Sequence, residues 1–340
     1  MNMKTGFTTS SWFRYIAIIV LLHIIGIGGL IYAATTASSA YWGLGILAYT
    51  YGLRHAFDAD HIAAIDNTVR KLSEQKQNPG GVGFFFSLGH SSVVFILVLL
   101  VVFSVKWIQT SMPAMQEIGG IIGMSVSGFF LLLIGIMNLY ILLQLLQAFR
   151  KMRSGQMEPE AINHLLESRG LLARLFRPLF RFVNRSWHVY PLGFLFGLGF
   201  DTATEIGLLA LSASAVHSAY SIPGILSLPV LFAAGMSLMD TADGMVMSKA
   251  YQWAFITPAR KMYYNILITT VSVAAALTIG FVEITQVLTE GLHWSSPFLM
   301  WISRLEFGDL GYAMVALFIS AWIISIIIWK KQTQLFNNTF

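Results

Sequence analysis

Eight apolar stretches, near residues 12–34, 41–66, 83–106, 118–149, 189–217, 224–254, 262–288 and 308–330, constrain this chain more than any other feature. Each is about 20 residues or longer, the length a helix needs to cross the ~30 Å hydrocarbon core of a bilayer. Inside hydrocarbon every backbone N–H and C=O must be bonded internally, so only helices and closed barrels are viable. Stretches this long and continuous predict helices, and hence an all-α integral membrane protein of eight transmembrane helices. The fourth and sixth are long enough to need a tilt or a break. The first begins with a basic residue and an apolar run, as a signal peptide would. It is too long for that and has no clear small-residue cleavage site, so it reads as a span.

Charge placement sets the topology. Charged residues are 11% of the chain, less than half of the ~25% usual in soluble domains. A net charge of +5 would suggest nucleic acid in a soluble chain, but in a membrane protein the location of the basic residues matters more. Of the 21 Lys and Arg, all but Arg54, Lys106 and Arg304 fall near the termini, at 70–76, at 150–185 or at 249–261. These regions alternate along the spans, so they share one side. The positive-inside rule makes it the cytoplasm and puts both termini there. The central loop 150–188 carries RGLLARLFRPLFRFVNRSW, in which Arg alternates with Leu and Phe. It reads as a basic amphipathic helix on the anionic inner leaflet. The expected partner is the lipid bilayer, with no nucleic acid and with protein partners undefined. Residues 1–340 form one transmembrane domain, with 150–188 as its basic cytoplasmic loop, in a multi-pass protein of the cell (inner or plasma) membrane.

One stretch contradicts the apolar background. Residues 53–67 read LRHAFDADHIAAIDN, with Arg54, His55, Asp58, Asp60, His61 and Asp66 inside a predicted span. A charge at the bilayer centre costs about 3 kcal/mol or more, so such residues mark a pathway, a relay or a bound ion. The other spans add His90, Asp201, Glu205, Asp240 and Asp243, with His23 in the first span and Asn138 in the fourth. On one continuous helix, at about 100° per residue, Arg54, His55, Asp58, His61 and Asp66 share a face. Asp60 then lies on the other side, unless the helix is distorted there. Asp201 and Glu205 are spaced i,i+4, and Asp240 and Asp243 i,i+3, so each pair shares a face. Arg54 reads as a structural counter-charge, Asp66 as a helix-end or loop residue, and His23 as a core histidine.

The sequence also echoes itself. FDADHI (57–62) is similar to FDTATEI (200–206), and SLGHSS (87–92) to SLMDTA (237–242). An offset of three spans reverses orientation, which makes this an inverted repeat with its site near the midplane, between the repeats. Imidazole with carboxylate suits a divalent first-row metal. The chain has no cysteine, which excludes disulfides and thiolate ligation.

These residues resemble the nickel/cobalt transporter (NiCoT) permeases. The hallmark of that family, H-x4-D-H, is matched by His55, Asp60 and His61. FSLGHSSVV (86–94), LGFDTATEI (198–206) and GMSLMDTADGMVMSKAYQWAF (235–255) resemble its other motifs, in order, and the likeness covers roughly 12–330. It implies high-affinity, energy-dependent uptake of Ni²⁺ or Co²⁺, with the metal as substrate and no cofactor. It also implies that a first-span residue facing the hallmark tunes metal preference, a position His23 could hold. The metal-ligand candidates are His55, Asp58, Asp60, His61, His90, Asp201, Glu205, Asp240 and Asp243. An exporter or a proton/cation exchanger using the same site is the alternative. A membrane di-metal oxygenase is disfavoured, because it needs many histidines at i+3 or i+4 spacing and the eight here are scattered.

Overall fold

The structure, a computed structural model, describes residues 9–103, 105–154, 183–199, 203–217, 221–255, 262–291, 296–303 and 310–337. Among them every regular element is helical. In chain order these are α1 (Thr9–Thr36), α2 (Tyr41–His55), α3 (Ala59–Glu74), α4 (Val82–Phe103), α5 (Val105–Arg153), a 3₁₀ turn (Ser186–Val189), α6 (Tyr190–Phe196), α7 (Ala203–His217), α8 (Ile222–Phe255), α9 (Met262–Gly291), α10 (Pro297–Ser303) and α11 (Leu310–Asn337). Five are long and apolar enough to cross a membrane: Trp12–Thr36, Val82–Phe103, Ile118–Lys151, Ile222–Trp253 and Tyr264–Thr289. A shorter apolar run, Gly311–Ile324, lies in α11.

Breaks fall where the sequence did not announce them. The long fourth and sixth stretches stay helical, as α5 and α8, even though α8 contains Pro229. The second stretch is split instead. α2 ends at His55, the Phe57 and Asp58 N–H groups donate to the Arg54 and His55 carbonyls (2.9 and 3.0 Å), and Asp58 adopts an extended backbone with ψ 139°. Helical bonding restarts when Ile62 N–H donates to the Asp58 carbonyl (3.2 Å). The single-helix expectation for Arg54, His55, Asp58, His61 and Asp66 is therefore wrong, and the mismatch of Asp60 is explained by the distortion. The dipoles of the two half-helices meet at this bend: Arg54 and His55 lie in the last turn of α2 and Asp60 in the first turn of α3, where their signs are favourable. The fifth stretch is interrupted too. α6 stops at Phe196, a turn runs through Gly197–Gly199, and α7 begins at Ala203.

α3 is polar yet enclosed. Every residue from His61 to Leu72 is buried, because α4, α5, α8, α9 and α11 all pack against it. Such burial requires internal partners, and several are present. Tyr251 and Ser272 hydroxyls each donate to Asp66 at 2.6 Å, Asn138 donates to Asn67 at 2.5 Å, and Arg70 pairs with Glu74 at 3.0 Å. Asp66 is thus a fully buried interior residue, not the helix-end or loop residue expected.

α8 is the central helix, touching α1, α2, α3, α4 and α7. Small residues let it approach closely: a Cβ on Gly52 of α2 or Gly83 of α4 would overlap the Phe232 or Asp240 carbonyl. Without a hydrophobic drive between helices in lipid, such close contact is a main source of association. At the α4–α8 crossing, the Ser87 hydroxyl donates to Ser237 at 3.0 Å. These are equivalent positions of the two SL motifs.

Candidate metal site

The bend between α2 and α3 places His55 and His61 side by side, and α4 adds His90. Their ring centroids lie 4.6, 4.6 and 4.7 Å apart, a nearly equilateral triangle of imidazoles. All three are buried, and one ring nitrogen from each lies within 4.8 Å of the others. Phe86 meets His61 edge-on at 4.8 Å and Phe232 flanks His55 at 5.6 Å, so apolar rings wall the triangle.

Carboxylates surround it. His90 Nε2 lies 2.7 Å from Glu205 Oε1 and 2.8 Å from His55 Nε2. His55 Nε2 is 3.9 Å from the same Glu205 oxygen. Two donors bound at about 2.1 Å and at right angles to each other are about 3 Å apart. The two short separations match the edges of such a coordination polyhedron, and the third matches a wider angle. Two Nε2 atoms this close need either a shared proton or a cation between them.

The Nδ1 atom of His55 is 2.8 Å from Asp58 Oδ2 and 3.1 Å from the Thr204 hydroxyl. A proton held there leaves the Nε2 lone pair free to face the triangle. His61 makes no hydrogen bond through either ring nitrogen, and neither Asp240 oxygen makes one, though His61 Nδ1 and Asp240 Oδ2 are 3.8 Å apart. Buried polar atoms normally find partners, so these orphans point to an occupant.

Of the candidates from sequence, His55, Asp58, His61, His90, Glu205 and Asp240 come together. Asp60, in the first turn of α3, acts electrostatically on both His55 and Asp240. Asp243 lies one turn beyond Asp240 on α8, acting electrostatically on Asp240 and beside Asp66. Asp201 lies outside the described residues. Arg54, expected within the membrane as a counter-charge, is exposed at the end of α2. His23 stays in α1, with Nδ1 bonded to the Ile19 carbonyl (2.8 Å) and Nε2 3.2 Å from the Tyr49 hydroxyl, six residues before His55. Thr204 was not singled out from the sequence, although it sits inside the FDTATEI motif beside Glu205.

Membrane-length apolar helices enclosing a buried nest of imidazoles and carboxylates define a helical membrane protein with a site suited to a transition-metal cation. The chain belongs to the high-affinity nickel-transport protein (NicO) family, whose family model matches residues 41–328. It is 58% identical to the nickel transporter NixA of Staphylococcus aureus, over 94% of each chain. It is 54% identical to the high-affinity nickel-transport protein NixA of Helicobacter pylori, over 94% of this chain and 97% of that one. It is 40% identical to the cobalt transport protein NhlF of Rhodococcus rhodochrous, over 89% of this chain and 88% of that one. No solved structure matches this chain.

Proposed function

We propose that this protein is a permease that takes up Ni²⁺, with Co²⁺ as a competing substrate, across the cell membrane. The observation that carries this reading is the donor spacing of His55, His90 and Glu205, beside a His61 without hydrogen-bond partners. Family membership and the similarity to proteins named for nickel and cobalt transport support it. The metal is the cargo and needs no cofactor. Imidazole nitrogen with carboxylate oxygen suits both ions, which are neighbours in affinity order.

In this reading His55, His61, His90 and Glu205 are the inner ligands, and Asp240 closes the site opposite His61. Asp58 holds His55 in the tautomer that turns Nε2 to the metal, as outer carboxylates do in metal sites. Asp60 supplies negative charge from the first turn of α3. The broken α2–α3 and α6–α7 stretches are the second and fifth of eight crossings, α11 is the eighth, and both termini are cytoplasmic. They relate as an inverted repeat, a reading supported by the Ser87–Ser237 contact between equivalent positions. Irregular backbone at membrane depth is tolerated where it lines a cavity, and transporter sites sit at such bends. The membrane potential favours inward movement of a divalent cation by about 2.3 kcal/mol per charge per 100 mV.

The test is uptake of radioactive nickel into cells expressing the chain, with cobalt as competitor and His61→Ala as control. Saturable nickel uptake, inhibited by cobalt and absent in the variant, is expected. Net loss of preloaded nickel would favour the exporter instead.

A further inference from the structure

The two sides of the histidine triangle are unlike. Toward the start of α8 the interior is apolar: Val93, Leu97, Val98 and Val101 of α4 pack with Leu209 of α7 and Ile225 of α8. Toward the end of α8 it is lined with oxygen. Asp240, Asp243 and Tyr251 recur at i, i+3 and i+11 on α8, one face of the helix. Asp243 Oδ2 is buried without a hydrogen bond, and the acid acting on Asp243 is Asp66 of α3. Tyr251 and Ser272 hold Asp66, one hydroxyl on each oxygen, which leaves each oxygen a second acceptor direction. Two turns along α9, on the face of Ser272, Asn265 is 4% exposed and its Oδ1 has no hydrogen-bond partner. Buried oxygens without protein partners are the places that water or ions occupy.

We infer that the cation leaves the histidine site through this oxygen-lined track between α3, α8 and α9, passing Asp243 and then Asp66, toward the face that carries residues 75–81. The inference rests on the proposed permease function and adds a route and a direction to it. By the charge distribution that face is cytoplasmic. Arg70 and Lys71 also lie along α3, buried. Arg70 is paired with Glu74, and the formal charges of Asp66, Arg70, Lys71 and Glu74 balance. The apolar packing on the other side closes the route outward in this conformation.

The chain has no cysteine, so an introduced thiol is the only one present. Asn265→Cys should react with a cationic methanethiosulfonate added from the cytoplasmic face of membrane vesicles, and Ni²⁺ should slow the reaction. Val98→Cys, in the apolar cluster, should react at least tenfold more slowly from either face. Independently, Asp243→Asn should cut the maximal rate of nickel uptake at least tenfold while nickel binding to the purified protein stays within about threefold. Reaction of Val98→Cys in place of Asn265→Cys would overturn the route. So would a loss of binding in Asp243→Asn that matches its loss of uptake. Failure of the unaltered chain to take up nickel would instead overturn the permease reading.

Discussion

At the scale of single residues, His55 and His61 show how position changes the meaning of one side-chain type. His55 has Asp58 and Thr204 on one nitrogen and the interior on the other. His61 has no hydrogen bond on either. His61→Ala should therefore remove a ligand outright and abolish high-affinity nickel uptake without loss of protein from the membrane. Asp58→Asn removes an orienting carboxylate, and its expected cost is about 10–100-fold in nickel affinity, read by calorimetry on purified protein. A wild-type affinity in the Asp58→Asn protein would remove that orienting role. A second expectation concerns protons. Metal ligation needs neutral imidazole and ionised carboxylate, so binding competes with protonation and releases protons. The sign follows: apparent nickel affinity should weaken as pH falls through about 6.5, where an ordinary histidine charges. Titrations between pH 5.5 and 8, in two buffers of different ionisation enthalpy, should show a buffer-dependent heat. A flat affinity with no such heat would sink the competition.

At the scale of elements, the bend at 56–58 creates the site, and contacts from outside α2 and α3 hold it. Gly311, in the first turn of α11, lies against the Phe57 carbonyl, where an added Cβ would overlap it. The neighbouring Tyr312 ring stacks on Phe57 at 4.6 Å. Gly311→Ala must push the bend or α11 aside, and either shift moves His55 relative to His61. The expected result is a several-fold rise in the nickel concentration giving half-maximal uptake. Tyr312→Ala, which frees space instead, should affect uptake less. Equal uptake kinetics for Gly311→Ala and the unaltered chain would show that α11 does not support the bend.

At the scale of the whole molecule, α8 and the enclosed α3 organise the bundle, and the charge distribution predicts its orientation. Reporter fusions after residues 110, 170, 220 and 340 test the topology. Cytoplasmic activity is expected at 170 and 340 and external activity at 110 and 220. External activity at 170 or 340 would refute the orientation. The helical class, the approximate helix positions and the interior placement of His55, His61, His90, Glu205 and Asp240 were legible from sequence, whereas Arg70 and Lys71, counted there with the cytoplasmic charges, are buried in α3. Long apolar runs have few stable forms in lipid, and charge within them is too costly to be incidental. The bend was not legible, because Ala56, Phe57 and Asp58 include no proline or glycine, and period counting assumes an unbroken helix. The burial of Asp66 was not legible either: its hydroxyl partners, Tyr251 and Ser272, lie far away in the chain. Tertiary structure alone decided that Nδ1 of His55 meets Asp58 while its Nε2 faces His90, that Asp243 lies electrostatically beside Asp66, and that oxygen lines one side of the site. Each depends on where separate helices cross, and backbone crossings are set by close packing at residues such as Gly52 and Gly83, which local sequence pattern does not encode.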